Sequence, residues 1–288
     1  MPFATHLEPR LFADDTNIFN FGKDLPTMIN NTNIELEKLS NWLRANKLMV
    51  NTSKTNYCLF HPSKRKSFND SYIVRMGDEL RQSDDIKYLG IKLDNNLTWE
   101  NHVHKVKSDI IKYTSMFSKL RHFIPKPCLM SLYDSLVLSK ISYAFEVYGL
   151  TSQKYIKDLQ VLQNRILRIL HFKDNRYSTN AIHKESNILK LTDLYEFKII
   201  KFMHNVHYNN AKLPSVFREY YKTNENNHKY ITRQSKDYKL FRVNKTWGDK
   251  MIRNKGARLW NELPTLIKCT SNSYTFAKKL KKSFLDQY

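Results

Sequence analysis

The sequence predicts an α+β fold for residues 1–100 and an all-α fold for the rest of the 288-residue chain. Short apolar runs on either side of turn residues indicate small hairpins early in the chain, and apolar residues at helical spacing dominate after residue 100. The chain has only 6 Gly and 8 Pro, which argues against a loop-rich all-β design. We therefore expect a hairpin, a helix and short antiparallel strands, followed by a helical bundle and a short C-terminal helical unit.

The first hundred residues alternate between strand and helix patterns. The stretch "LFADDTNIF" is predicted to be strand, turn and strand, with the turn at or near Asp14 and Asp15, because aspartate tolerates a positive φ. The stretch "LPTMINNTNIELEKLSNWLRANKL" has apolar residues at helical spacing and predicts a helix. "TNYCLFHP" and "IKYLGIKLD" each indicate one strand, and "YIVRMGDELRQ" indicates a hairpin that turns at Gly77 and Asp78.

Four amphipathic helices are predicted after Trp99. The first carries Val103, Val106 and Ile110 on one face, and the others cover "CLMSLYDSLVLSKISYAFEVY", "YIKDLQVLQNRILRIL" and "TDLYEFKIIKFMHNVHY". The side chains expected in the core of this bundle are Leu120, Leu136, Leu162 and Ile166. Residues 222–246 are polar and aperiodic, which predicts a linker or a loop on nucleic acid.

The charge is distributed unevenly along the chain. Residues 1–100 contain 13 of the 48 Lys and Arg and 13 of the 27 Asp and Glu, so the whole net charge of +21 falls on residues 101–288. A neutral part joined to a strongly basic part is typical of a polyanion-binding extension, and the 17 tyrosines offer rings that stack on bases. The alternative is a soluble surface that is simply rich in lysine.

The cysteines and the N-terminus indicate an intracellular protein, in the cytoplasm, the nucleus or both. The 3 cysteines are too far apart for a zinc site or a secreted disulfide framework, and "MPFATHLEPR" has no apolar signal core. The most apolar helical stretch, "LYDSLVLSKISYAF", is interrupted by Asp134 and Lys140 and is too short to span a membrane. No membrane partner is therefore expected.

Several motifs in one order resemble a known family. "LFADDTNIF" resembles the catalytic box of non-LTR retrotransposon reverse transcriptases of the LINE-type, jockey-like group. "LSNWLRANKLMVNTSKTNYCLF" and "KYLGIKLDNNLTWENHV" resemble the next two blocks, and "LQVLQNRILRIL" and "GARLWNELP" resemble its later segments, so that the resemblance covers residues 11–288. It implies a partial reverse transcriptase palm over 1–100, a helical thumb and connection over 101–212, and a basic C-terminal tail region over 213–288.

The resemblance implies nucleotidyl transfer with Mg²⁺, in which Asp14 is the main metal ligand and Asp15 the supporting one. Phe12 and Ala13 would lie beside the primer end, where a small residue allows close approach. Lys54 matches a lysine that would act near the leaving pyrophosphate. On the motif alone, an exposed acidic turn accounts for the two aspartates, and a solvated lysine before a strand accounts for Lys54.

The resemblance also implies that the helical region grips RNA and DNA as template and primer. The side chains expected to contact phosphates are Lys105, Lys112, Arg165, Arg168, Lys278 and Lys282.

In the family, a third metal-binding aspartate and the nucleotide pocket lie upstream of the catalytic box. We therefore expect a C-terminal fragment of an RNA-directed DNA polymerase that is inactive alone and has the missing upstream half as a partner. Two alternatives remain open: a non-catalytic basic nucleic-acid-binding protein, or a decayed element remnant without function.

Overall fold

The computed structural model describes residues 7–61, 72–226, 235–244 and 246–288. The chain divides into two compact units, Met1–Asn101 and His102–Tyr288. In the described residues all named strands lie before residue 95, and helices dominate the chain after residue 99, so the mixed α+β prediction is confirmed. Within the same residues, the helices are too short or too polar to cross a membrane.

The first unit contains short strands and one long helix. Its elements are β1 (Glu8–Phe12), β2 (Asp15–Phe19), α1 (Leu25–Ala45), β3 (Asn56–Tyr57), β4 (Arg75–Met76), β5 (Asp78–Glu79), β6 (Arg81–Gln82), β7 (Asp85–Tyr88) and β8 (Ile91–Asp94). The pairs β1–β2 and β4–β5 are antiparallel hairpins, as predicted, and β7–β8 is a further antiparallel pair. The prediction is wrong for β3 and β6, which pair in parallel over two residues each.

Helix α1 begins at a side-chain cap and buries one face. The Asp24 carboxylate accepts a hydrogen bond from the Thr27 hydroxyl and another from the Thr27 N–H, the latter at 3.1 Å. Both bonds lower the pKa of the Asp24 carboxyl, and the bond from the hydroxyl has the larger effect. The face of α1 that carries Ile29, Leu36 and Leu39 is buried in a core cluster of the first unit. The helical spacing of these residues is what made α1 predictable.

The segment "IKYLGIKLD" is a hairpin and not the single predicted strand. Strands β7 and β8 pair around a two-residue turn, in which Leu89 has φ +46° and Gly90 has φ +83°. Two consecutive positive φ values are typical of the turns that join right-twisted strands. The Asp94 carboxylate at the end of β8 accepts from the Thr98 and Trp99 N–H groups, both at 2.8 Å, and so orders the chain that enters the next helix.

The remaining elements are helical. They are α2 (Glu100–Leu120), α3 (Lys126–Tyr133), α4 (Ser139–Ser142), α5 (Phe145–Tyr148), α6 (Gln153–Leu170), α7 (Thr179–Ser186), α8 (Leu191–Tyr208), α9 (Ser215–Tyr220), α10 (Thr246–Lys250), α11 (Ile252–Glu262), α12 (Thr265–Lys268) and α13 (Ser273–Leu285). The four helices predicted after Trp99 correspond to α2, to α3 through α5, to α6 and to α8.

A π-helical turn at Asp134–Leu138 joins α3 to α4, and in it the Ser139 N–H donates to the Asp134 carbonyl five residues earlier. The buried side chains of this stretch recur every four residues, at Leu129, Tyr133, Val137 and Ile141. A step of four residues exceeds one turn of a regular α-helix by roughly 40°, and the wider π turn offsets part of that drift. Val137 therefore takes the core position that we predicted for Leu136, which is half-buried.

Helices α8, α11 and α13 share one core cluster. Its buried side chains include Ile200 and Met203 from α8, Trp260 from α11, and Phe276 and Leu280 from α13. The domain boundary that we predict between residues 212 and 213 stays a prediction. Residues on both sides of it contribute to this cluster.

Two asparagines of α11 hold an extended segment through its backbone. The Asn254 side-chain amide accepts from the Phe241 N–H at 3.2 Å and donates to the Phe241 carbonyl at 3.0 Å. Asn261, seven residues later, makes the same pair of bonds with Tyr238, at 2.9 and 2.8 Å. We call Asn254 and Asn261 the asparagine clamp. Tyr238 is buried, so the described residues 235–244 pack on α11 and are not the predicted linker, whereas the alternative of a loop on nucleic acid stays a prediction.

Helix α6 supplies a stability test of the predicted core. Ile166 is fully buried and Leu162 is nearly so, as predicted, whereas Leu120 is only half-buried. Ile166→Ala is expected to lower the free energy of unfolding by roughly 2–5 kcal/mol, because it removes buried methyl groups and leaves a cavity. Val161→Ala on the exposed face of α6 is the control and is expected to cost less than about 0.5 kcal/mol. Equal effects of the two changes in urea unfolding would contradict the packing.

Candidate functional site

The β1–β2 hairpin brings Phe12, Ala13, Asp14 and Asp15 together at one turn. Phe12 and Asp15 are register partners, and Ala13 and Asp14 form the two-residue connection between them. The positive φ, +51°, falls on Ala13 and not on an aspartate as the sequence argument assumed. A left-handed conformation at a residue with a Cβ is unfavourable by roughly 1–2 kcal/mol, and such strain is often found at functional sites.

The acidic turn is exposed to solvent. Phe12 has 63% of its surface exposed, and the side chains of Asp14 and Asp15 are exposed as well. The hairpin is anchored farther from the turn, where Ile18 packs on the core of the first unit and the Phe19 ring meets Tyr88 edge-on at 5.9 Å. The carboxylates are thus presented at the tip of a two-residue turn.

The donor chemistry of the turn suits Mg²⁺, which prefers carboxylate oxygens and keeps other positions for water and phosphate. In the part of the chain that the structure describes, His, Cys, Asp and Glu side chains form no group of three or more arranged to hold a metal ion. The turn offers two carboxylates, Asp14 and Asp15, and their role as metal ligands stays a prediction.

Lys54 lies on a different turn, which Asn51 organises. The Lys54 N–H donates to the Asn51 carbonyl at 3.1 Å, and the Thr55 N–H donates to the same oxygen at 3.0 Å. The Lys54 side chain is exposed, and β3 begins two residues later. Lys54 is therefore an exposed lysine before a strand, and its role near a leaving group stays a prediction.

The predicted phosphate contacts lie in pairs on three helices. Lys105 and Lys112 are seven residues apart on α2, and Lys278 and Lys282 are four apart on α13, so each pair shares one helix face. Lys105 is half-buried, whereas Lys112, Lys278 and Lys282 are exposed, and the Lys112 Nζ lies 4.0 Å from the Asp109 carboxylate. Contact of these four side chains with phosphates stays a prediction.

The third pair, on α6, is divided between two environments. Arg165 is exposed, whereas the Arg168 guanidinium donates to the Tyr177 carbonyl from Nε (3.1 Å) and Nη2 (2.8 Å) and to the Thr179 hydroxyl at 3.2 Å. Arg168 therefore orders the loop between α6 and α7, and most of its donors are already used. Contact of Arg168 with phosphate stays a prediction. The bonds to Tyr177 and Thr179 make such a contact less favourable, because they occupy the donors that it would need.

Sequence reasoning missed a buried polar network between α6 and α7. His183 is fully buried, its Nδ1 lies 2.9 Å from the Ile188 carbonyl, and its Nε2 lies 2.8 Å from Asn164 Oδ1. Gln163 is also buried and donates to the Tyr133 hydroxyl at 3.0 Å. The sequence contains a signal for this network. Gln163 is a polar residue between Leu159 and Ile166 on the apolar face of α6, which indicates a buried polar side chain.

Comparisons with known proteins confirm the resemblance. The chain is 23% identical over 203 residues to the RNA-directed DNA polymerase from the mobile element jockey of Drosophila melanogaster, which covers 69% of this chain and 22% of that protein. It is 24% identical over 163 residues to a probable RNA-directed DNA polymerase from the transposon X-element of the same species, covering 55% and 17% of the two chains. The jockey polymerase of Drosophila funebris is 28% identical over 121 residues, covering 41% and 13%.

The matched region is a small part of each relative, since the alignments span about a fifth or less of those polymerases. No protein-family model matches the chain. No solved structure matches it significantly.

Proposed function

We propose that this chain is a part of an RNA-directed DNA polymerase and binds the template–primer. Its relatives are the RNA-directed DNA polymerases of non-LTR retrotransposons. The observation that carries the proposal is the location of the charge: residues 101–288 hold the whole +21, and their described part is helical. Basic helices that meet phosphates give binding that does not depend on base sequence, which is what a polymerase requires of its template grip.

The acidic hairpin is the proposed catalytic element. Asp14 and Asp15 would hold Mg²⁺, which supplies charge neutralisation at the reacting phosphate. Ala13, with its small side chain and left-handed backbone, and Phe12, which is exposed, would lie beside the primer end. Lys54 would offset charge near the leaving pyrophosphate. Support comes from the hairpin geometry and from the exposure of these side chains.

We further propose that the hairpin works together with an upstream polymerase half that carries a third aspartate. The 288-residue chain by itself is then expected to give no measurable extension of a DNA primer on an RNA template with Mg²⁺ or Mn²⁺, because two carboxylates of one turn would have to serve two metal ions. The measurement is a gel assay of primer extension with and without the upstream half of a matching polymerase. Extension by the chain alone that Asp14→Ala abolishes, and Asp78→Ala on another hairpin does not, would contradict this proposal.

Binding of nucleic acid tests the proposed function directly. The full chain is expected to bind a labelled RNA–DNA template–primer, and the double change Lys278→Glu and Lys282→Glu is expected to weaken binding by roughly 10-fold or more at moderate salt. The matched control makes the same charge change at two exposed lysines of the neutral part, Lys23→Glu and Lys87→Glu. Equal weakening by the two double changes, or no binding by the unchanged chain, would overturn the proposed function.

A further inference from the structure

Phe172 occupies a position at the end of α6 where the backbone favours glycine. It has φ +54°, and its N–H donates to the Ile169 carbonyl at 3.2 Å, while the Lys173 N–H donates to the Arg168 carbonyl at 2.9 Å. These two bonds form a Schellman motif, whose left-handed position is usually glycine because a Cβ is unfavourable there. The backbone therefore does not account for a phenylalanine at this position.

Burial does not account for the phenylalanine either, because 58% of Phe172 is exposed. The His122 ring meets the Phe172 ring edge-on at 5.5 Å, and the next residue, Phe123, is 84% exposed. We call His122, Phe123 and Phe172 the exposed ring cluster. A strained residue that neither the backbone nor the core requires is often found at a functional site.

Arg121 holds the Phe172 ring at the end of α6. Its guanidinium carbon lies 4.8 Å from the centre of the Phe172 ring, and its Nη1 donates to the Ile169 carbonyl at 3.3 Å. Its Nε lies 3.3 Å from His122 Nε2. Because a planar guanidinium stacks favourably on an aromatic ring, the Phe172 ring is held in position while more than half of its surface stays open to a partner.

The surface around the rings is basic. Residues 119–126 and 168–176 each contain three lysines and arginines, and together they contain one acidic residue, Asp174. Burial lowers the pKa of His171 most, and the charges of Lys126 and then Lys173 lower it further, so both cations lie close to the end of α6. Lys126 is exposed and Lys173 is half-buried.

The acidic groups on this surface have partners. The Asp174 carboxylate accepts from the Arg176 N–H at 2.8 Å. Glu185 of α7, whose charge raises the pKa of His171, accepts from the Tyr177 hydroxyl and lies 3.6 Å from His171 Nδ1. Cations outnumber these two carboxylates, so the surface beside the rings favours a polyanion.

Exposed rings among cations fit a nucleic acid strand better than a protein. Unpaired bases stack on aromatic rings and on guanidinium planes, and the phosphates between the bases pair with lysines. Lysine is depleted in protein–protein interfaces, so a protein partner does not account for the cations around Phe172.

We propose that the exposed ring cluster binds one unpaired base of a single-stranded RNA, which stacks on Phe172 while Lys126 meets a neighbouring phosphate. This inference rests on the proposed function and deepens it, because it names a single-stranded part of the nucleic acid that the helical region binds. Stacking tolerates any base, since every base has a π face, and it adds affinity that does not come from phosphates.

The experiment compares two labelled RNA strands of equal length, an oligouridylate and a strand in which the bases are replaced by hydrogen. Both strands have the same phosphates, so the electrostatic part of binding is equal. The readout is the ratio of the affinities of the full chain for the two strands. Phe172→Ala is expected to lower this ratio roughly 5-fold or more by weakening oligouridylate binding alone, whereas Phe172→Trp is expected to keep it.

Phe172→Gly separates the ring from the backbone. It removes the same ring as Phe172→Ala and relieves the left-handed strain, so it is expected to lower the ratio equally while unfolding at a higher temperature than Phe172→Ala. Phe21→Ala, at a phenylalanine of the neutral part that is 87% exposed, is the control and is expected to leave the ratio unchanged. A ratio that recovers with the thermal stability in Phe172→Gly would show that the ring is structural and would overturn the proposal.

Lys126→Gln tests the phosphate contact separately. It is expected to weaken binding of both strands equally and to make the slope of log K against log salt less steep by about 1. Binding and slope that do not change would overturn the part of the proposal that concerns Lys126.

The outcomes distinguish this proposal from the proposed function. If Phe172→Ala keeps the ratio, the stacking site is overturned and the template–primer grip stands. If Phe172→Ala keeps the ratio and converts a dimer to a monomer in analytical ultracentrifugation, the rings belong to an interface with a second copy of the chain, which also overturns the stacking site. If the unchanged chain binds neither strand, the proposed function fails, and the stacking site fails with it.

Discussion

The affinity of the full chain for a labelled RNA is expected to fall roughly 250-fold for a single strand and roughly 1,000-fold for a duplex when the salt concentration rises from about 50 to about 200 mM. The physical reason is the release of counterions from each phosphate that a lysine or arginine neutralises. With about six phosphates in contact, the slope of log K against log salt is about −4 for a single strand and about −5 for a duplex. The measurement is a series of fluorescence-anisotropy titrations at several salt concentrations.

Charge-reversal variants give this prediction its control. Lys278→Glu with Lys282→Glu is expected to make the slope less steep by about 2, because each lost phosphate contact reduces it by about 1. Lys23→Glu with Lys87→Glu, in the part of the chain with no net charge, is expected to leave the slope unchanged. An affinity that does not respond to salt would show that the +21 charge is not used for binding.

Acidification is expected to destabilise the second unit between about pH 6.5 and pH 4. Burial is the main cause that lowers the pKa of His183 to about 4, whereas an unfolded histidine titrates near 6.5. Between these values the unfolded chain takes up a proton and the folded chain does not, so the free energy of unfolding falls as the pH falls. At pH 4 the loss of unfolding free energy due to this ring is roughly 3 kcal/mol. Above about pH 7 the ring is neutral in both the folded and the unfolded chain, so it makes no contribution to the pH dependence of stability.

His102 acts in the same direction, because burial also lowers its pKa to about 4. The test is urea unfolding at pH 7, 6 and 5 for the unchanged chain, for His183→Gln and for His122→Gln at an exposed position. His183→Gln is expected to unfold at lower urea at pH 7 but to lose less stability on acidification. A pH dependence that is the same in His183→Gln as in the unchanged chain would exclude this ring as a cause.

Periodicity predicted the regular parts of the fold and failed where the backbone leaves the ideal geometry. Helices α1, α2, α6 and α8 have apolar residues at helical spacing, and their boundaries were close to those found. The sequence predicts one strand around Leu89 and Gly90, because a turn with two positive φ values has no apolar signature. Leu136 was predicted as core because a regular helix was assumed, and the π turn shifts that position to Val137.

The candidate site was predictable as far as it is local. Phe12, Ala13, Asp14 and Asp15 are adjacent in sequence, so the turn that unites them could be inferred from the motif. The role of Arg168 in the loop after α6 could not be predicted, because it depends on a backbone carbonyl that only the folded chain brings to the guanidinium.

The asparagine clamp bears on how such a chain tolerates mutation over time. Asn254 and Asn261 contact the main chain of Phe241 and Tyr238, and these four bonds do not depend on which side chains the extended segment carries. A side-chain change along that segment therefore costs little at the clamp, whereas loss of either asparagine leaves a part-buried N–H and carbonyl without these bonds. Through these bonds the position of the segment depends on Asn254 and Asn261 and not on the side chains of the residues that they hold.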